Sequence, residues 1–248
     1  MTDEELLREG ERIDDLEVNG FRIIQNPSFF CFGMDAVLLS AFAGTGSKDR
    51  VIDLGTGTGI IPLLLTAKGK CASAVGLELQ DAVAEMASRS VRLNRAEERI
   101  DILQGDIKKA KELFRGSSFD AVTCNPPYIS VKDGLHNYAT EKNLARHEIA
   151  VKLEDVVQVA GYLLRPGGSF SMVHKPFRIP EILELMRKYR LEPKRMQLVQ
   201  PYADKEPNMV LIEGVRDGNP WLKVLPAMIV YEKGGGYTQE LLKTYGKC

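Results

Sequence analysis

Short apolar runs recur along the chain, most closed by a glycine, proline or acidic turn and followed by a stretch of helical spacing. The first, Leu16-Glu17-Val18 and Phe21-Arg22-Ile23-Ile24, flank Asn19-Gly20, a strong hairpin signal. Phe29 to Phe42 follows, with apolar residues crowded on one side of a helix that Asp35 could cap. Strands are then expected at Val51–Leu54, Ser73–Glu78, Ile100–Gln104 and Phe119–Cys124, with helices after the first two at Ile60–Leu65 and Asp81–Leu93. The pattern continues with a helix over Glu154–Leu164, a turn Arg165-Pro166-Gly167-Gly168, a strand Ser169–Val173 and a helix Ile179–Tyr189. Strands over Lys194–Gln200 and Met209–Val215 precede a tail in which Val224–Tyr231 forms an edge piece and a short helix runs to Tyr245. Alternating strand and helix predict an α/β fold around a mostly parallel sheet.

Upstream of the hairpin, residues 3–17 are rich in carboxylates, with Leu6, Leu7, Ile13 and Leu16 loosely spaced, which predicts a marginal helix or a solvated arm. We divide the chain into an acidic arm, 1–15, and one domain, 16–248, in which 16–46 hold the hairpin and a lid helix and 47–248 the sheet core. With 248 residues, 44% hydrophobic and 27% charged, the composition is that of an ordinary soluble protein. No apolar run approaches the roughly 20 residues that span a bilayer, and the first residues are acidic, so a cytoplasmic protein without membrane attachment is expected. Cys31, Cys71, Cys124 and Cys248 are far apart, which argues against a zinc site or disulfide framework. A net charge of −1 disfavours gripping long nucleic acid by charge alone, while allowing a local basic patch. Arg178, Arg187, Lys188, Arg190, Lys194 and Arg195 form one such candidate, and Lys108, Lys109, Lys111 and Arg115 another; each reads equally as a solvated face.

Candidate chemistry concentrates where Phe119–Cys124 runs into Asn125-Pro126-Pro127-Tyr128. Consecutive prolines hold φ near about −65° and remove two donors, so the carbonyls there escape sheet pairing and can face a ligand. Asn125, before a proline, is biased to an extended backbone. An amide oxygen, an unpaired carbonyl and the Tyr128 ring suit a planar group bearing an exocyclic NH2, although an ordinary strand-ending loop remains open from these residues alone.

Upstream, Asp53-Leu54-Gly55-Thr56-Gly57-Thr58-Gly59 leads from strand to helix. Ile60 stands where a dinucleotide fingerprint places its third glycine, and Asp53 would repel a pyrophosphate. An amino acid group is compatible, its ammonium facing Asp53 and its carboxylate the turn's amides, so the pattern favours S-adenosylmethionine. Glu78 suits a ribose diol and Asp106 an adenine amino group. Residues 129–148 turn polar, predicting a mobile substrate loop in which Arg146 and His147 stand closest to the site.

Taken together, Asp53 to Gly59, Glu78, Gly105-Asp106 and Asn125 to Tyr128, with Phe32-Gly33-Met34-Asp35-Ala36-Val37-Leu38-Leu39 before them and Lys205-Glu206-Pro207-Asn208-Met209 after, resemble class I S-adenosylmethionine-dependent methyltransferases that modify amino groups. The chain is most similar to the bacterial tRNA1(Val) adenine-37 N6-methyltransferase family, from about Leu16 onwards. That resemblance implies a seven-stranded, mostly parallel Rossmann-like sheet with helices on both faces and a C-terminal antiparallel hairpin. It implies methyl transfer to adenine N6 in the anticodon loop of a tRNA, by a monomer or weak homodimer without a metal. Asn125, Pro126 and Tyr128 would be catalytic. Phe32, Gly33, Asp35, Asp53, Gly55, Thr56, Gly57, Gly59, Glu78, Leu79, Asp106, Ile107 and Asn125 would hold the cofactor, and Pro127, Tyr128, Arg146 and His147 the substrate. The same motif also occurs in enzymes that methylate DNA adenine, rRNA guanine or a protein glutamine, and a cofactor-binding interaction protein without turnover is the non-enzyme alternative.

Overall fold

The computed structural model describes residues 3–29, 31–126 and 151–246. Its core strands are β3 (Arg50–Leu54), β4 (Ser73–Glu78), β5 (Ile100–Gln104), β6 (Phe119–Cys124), β7 (Leu164–His174), β8 (Leu191–Gln200) and β9 (Met209–Arg216). They lie in the order β8-β9-β7-β6-β3-β4-β5. Pairing is parallel from β7 through β5, and β9 is antiparallel to both its neighbours, giving the expected C-terminal hairpin. Two short strands, β10 (Lys223–Val224) and β11 (Met228–Ile229), extend the outer edge alongside β8.

The central strands β3, β4 and β6 are apolar on both sides because both sides are covered. Val51, Ala74, Ala121, Val173 and Leu211 pack with α1 (Met34–Phe42) and α2 (Ile60–Ala67). Their alternates Ile52, Val75, Val122, Met172 and Ile212 pack with α5 (Leu153–Leu163) and α6 (Ile179–Lys188). Between these, α3 (Asp81–Leu93) follows β4, α4 (Ala110–Leu113) follows β5, and α7 (Gln239–Thr244) closes the chain.

Three local expectations shift. The hairpin forms, but its first strand, β1 (Arg12–Asp15), lies before the predicted one and pairs with β2 (Arg22–Gln25). Leu16 is instead drawn into the core as part of the loop. Residues 3–15 show both expected features, one 3-10 turn at Glu4–Leu6 and a mostly exposed segment, but are also tied to the fold: the Arg89 guanidinium on α3, almost wholly buried, meets the Glu11 carboxylate and the Leu6 carbonyl. Gly33, not Asp35, takes the N-cap position of α1, and Asp35 lies in its first turn. Arg165 to Gly168, by contrast, form the expected turn: β7 pairs with β6 at Leu164 and resumes only at Ser169, and Gly167 takes φ +81°.

Candidate active site

Four parallel strands end almost level. Leu54 is in register with Leu77 and with Cys124, and Glu78 is in register with Gln104. Gly55, Leu79, Gly105 and Asn125 therefore leave the sheet along one edge, where a doubly wound fold opens its ligand crevice.

The glycine turn lies over the end of β4, with Gly55 N–H and Thr56 N–H both donating to the Leu77 carbonyl, at 2.9 and 3.0 Å. Gly57 N–H donates to Glu78 at 2.9 Å, so Glu78 braces the turn while its other oxygen accepts from Gln80 N–H. Gly57 has φ +56°, and a Cβ added there would meet nothing within 4 Å, so its backbone borders open space. Gly59 has φ +80° and faces Ala87 and Ile102, serving the packing of the turn on the fold.

Asp53 lies beneath this turn, 2% exposed, and one of its oxygens accepts from the Thr123 hydroxyl at 2.7 Å. The other oxygen and the buried Thr56 hydroxyl have no hydrogen-bond partner among the described residues. Burial pushes the Asp53 carboxyl up to about 6; the Thr123 hydroxyl opposes this, and the Glu78 charge adds to it. A buried carboxylate short of one partner, next to open backbone, fits a ligand that brings a cation. An amino acid ammonium meets that need, so the residues present fit the expected cofactor.

Glu78 is buried at the end of β4, and Leu79 beside it is open, 37% exposed. Gly105 N–H donates to the Glu78 carbonyl at 2.8 Å, tying the ends of β4 and β5 together. Asp106 accepts from Lys108 N–H at 2.9 Å and caps a helical turn whose first residue, Ile107, is buried. Asn125 and Pro126 leave β6 half-buried. Pro127, Tyr128, Arg146, His147 and the predicted 129–148 loop lie outside the described residues. Cys124 is inert: its thiol donates to the Leu54 carbonyl, and burial, with Asp53 nearby, holds it well above the ordinary thiol range. Phe32 packs with Leu16, Val37, Leu64 and Tyr245 around a small cavity, just ahead of Gly33 and Asp35.

Two contributors were not singled out from sequence. Thr123 orients Asp53, and Gly76 makes room for the turn, since a Cβ there would come within 2.7 Å of Thr56. Conversely, the basic run does not form a free face. Arg187 pairs with Glu192, Lys188 with Glu154, Arg190 with Asp217 and Arg195 with Glu213. Because β8 runs parallel to β7, Arg187, Lys188 and Arg190 lie by the opposite edge of the sheet from Asn125.

The family model described as methyltransferase small domain matches residues 21–190. A tRNA1(Val) (adenine(37)-N6)-methyltransferase from Porphyromonas gingivalis is 30% identical over 234 residues, 90% of each chain. Among solved structures, a predicted O-methyltransferase from Agrobacterium tumefaciens superposes with a TM-score of 0.69 at 21% identity, covering 86% of this chain and 96% of that one. A geranyl diphosphate C-methyltransferase from Streptomyces coelicolor A3(2), solved with S-adenosyl-L-homocysteine, gives a TM-score of 0.53 at 17% identity, covering 73% and 76%. The glycine turn, the acids beyond it and the Asn125 strand end thus occur on the fold those motifs predicted, and the chain belongs to the methyltransferase small-domain family, among the tRNA1(Val) (adenine(37)-N6)-methyltransferases.

Proposed function

We propose that this protein methylates the exocyclic N6 of an adenine in tRNA, at position 37 of the anticodon loop of a valine tRNA. S-adenosylmethionine is the cofactor and, when bound, supplies an electrophilic methyl group from its sulfonium. The observation that carries the reading is the register: Asn125 leaves β6 directly beside the turn over Asp53, so acceptor and cofactor groups share one crevice.

The aromatic amine is a poor nucleophile because its lone pair is delocalised into the ring. The Asn125 side-chain oxygen and the Pro126 carbonyl are assigned to accept its two hydrogens. They would favour the pyramidal, partly positive nitrogen of the transition state over the flat ground state. Tyr128 and Pro127 would hold the base, a stacked ring being worth roughly 1–3 kcal/mol. Alignment of the two reactants can supply on the order of 7–11 kcal/mol, which removes the need for a strong general base. Asp53 is assigned to the cofactor's ammonium, the Gly55, Thr56, Gly57 and Gly59 backbone to its carboxylate side, Glu78 and Leu79 to its ribose side, and Asp106 and Ile107 to its adenine. Phe32, Gly33 and Asp35 are candidates to close over it, and Arg146 and His147 to contact RNA. No helix among the described residues is long and apolar enough to cross a membrane. We take the protein to act in the cytoplasm as a monomer or weak homodimer, without a metal.

The test is direct. Purified protein, labelled cofactor and total tRNA from a strain lacking this gene should yield one labelled nucleoside, N6-methyladenosine, at a single anticodon-loop position. Label in a protein glutamine, or in no tRNA at all, would overturn the assignment.

A further inference from the structure

The carboxyl edge of the sheet holds more than the crevice. His174 ends β7, and β7 adjoins β6, so the corner Lys175-Pro176-Phe177-Arg178 rises next to the Asn125 strand end. The corner is braced by Lys175 N–H donating to His174 Nδ1 at 2.8 Å and by an Arg178–Glu181 ion pair. Phe177 is nonetheless 65% exposed. Two strands further along, the turn that joins β8 to β9 reaches the same edge, since His174 is in register with Val210 and Val199 with Met209. Tyr202 stands there on a closed turn, its carbonyl accepting from Lys205 N–H at 3.1 Å while Gln200 Nε2 holds the Lys205 carbonyl at 2.7 Å.

Tyr202 is also the end ring of a ladder. It lies 5.4 Å from Tyr231, which stacks on Tyr237 at 5.5 Å, which in turn faces Tyr245 at 6.3 Å. Pro201 O accepts from Tyr231 N–H, fixing the second ring under the first. A ladder pinned at its base, with its end ring partly open at the rim, is pre-organised to accept one more flat group.

We infer that Phe177 and Tyr202 form an aromatic rim that stacks the unpaired nucleotides flanking the target adenine. The inference rests on the tRNA reading above and extends it to residues of the described fold. An RNA loop suits the rim because its bases are already splayed for stacking. Strand spacing puts the ends of β7 and β8, with β9 between them, about 10 Å apart, so the two rings can serve neighbouring nucleotides of one strand. Charge points the same way. The net charge is −1 and Arg187 and Arg190 on the far edge are already paired, so stacking at the rim supplies recognition that those charges do not. Lys175 and Lys205 lie in the same two turns as the rings and suit the intervening phosphates.

The experiment is steady-state methylation of unmodified tRNA transcript by wild type, Phe177→Ala, Tyr202→Ala, Tyr202→Phe and Trp221→Ala, with cofactor affinity measured by calorimetry. Phe177→Ala and Tyr202→Ala should each raise KM for tRNA about tenfold, with kcat and cofactor affinity within twofold of wild type. Tyr202→Phe should retain wild-type KM because the stack needs the ring and not the hydroxyl. Trp221→Ala removes a side chain that is 78% exposed but outside the rim, and should change nothing. Phe177 lies outside the ladder, so its variant decides the matter even if Tyr202→Ala melts early. Wild-type KM in Phe177→Ala, or an equal rise in Trp221→Ala, overturns the rim while leaving the methylation reading in place. Failure of the wild type to methylate any tRNA overturns both.

Discussion

Replacing Asp53 with asparagine should make the protein more stable and less able to bind its cofactor. In the folded chain the carboxyl titrates at about 6, against 3.8 for a free side chain, because it is buried. Its charged form is thus disfavoured by about two pH units, or roughly 3 kcal/mol at 1.36 kcal/mol per unit. Since the folded value is raised, the cost is absent below about pH 4, grows as the pH climbs from 3.8 to 6, and is constant above that. Asp53→Asn removes it. The amide oxygen can still accept from Thr123, while its NH2 group lies where the Asp53 oxygen had no partner, an uncompensated donor worth about 1–2 kcal/mol. The net gain at pH 8 is about 1–2 kcal/mol, or about 2–8 °C in melting temperature for a chain of this size. Towards pH 4, where the charge cost is gone and the uncompensated donor remains, the variant should instead become less stable than wild type by about 1–2 kcal/mol. Cofactor affinity should move the other way, falling at least tenfold in the variant, and in the wild type weakening as the pH drops below 6 and Asp53 gains a proton. Calorimetric melts at pH 4 and 8, with titrations of S-adenosylmethionine at pH 5.5 and 7.5, measure both. Unchanged affinity in Asp53→Asn, together with a melting difference independent of pH, would refute the reasoning.

Further outcomes follow from the same geometry. Charge reversal at Arg187 and Arg190 together should leave KM for tRNA and its salt dependence within twofold of wild type, because both side chains already pair on the far edge; a steeply weakened, flatter salt response in filter binding would contradict this. Glu11→Ala leaves the buried Arg89 with Glu85 and the Leu6 carbonyl alone, and should cost about 3 kcal/mol in urea unfolding with cofactor affinity intact. A loss under about 1 kcal/mol would mean the N-terminal segment is not held there.

Much of the sheet was legible because its central strands are continuous apolar runs and the turns after them carry glycine or acid. Ser73–Glu78, Ile100–Gln104 and the helix Asp81–Leu93 fall where the pattern put them. The hairpin's first strand was hidden by its polarity: Arg12 to Asp15 find partners on β2, while Leu16, which reads as strand, fills the core from a loop. In the site, the acids and glycines were readable as motifs, but the support beneath them was not. Thr123 sits in an apolar strand and looks like filler until register brings it to Asp53, and Gly76 matters only once Thr56 folds over it. The basic run was visible as charge, yet its neutralising partners Glu154, Glu192 and Asp217 come from three different segments, which spacing cannot reveal.

The central claim is that acceptors at the end of β6 act on the nitrogen in the transition state and little on the cofactor. Single-turnover methylation by Asn125→Ala, set beside its calorimetric affinity for S-adenosylmethionine, measures this most directly. The account predicts a rate at least a hundredfold lower, equivalent to about 2.7 kcal/mol, with affinity within about threefold of wild type. A variant that loses rate and affinity by the same factor, or keeps its rate, contradicts it.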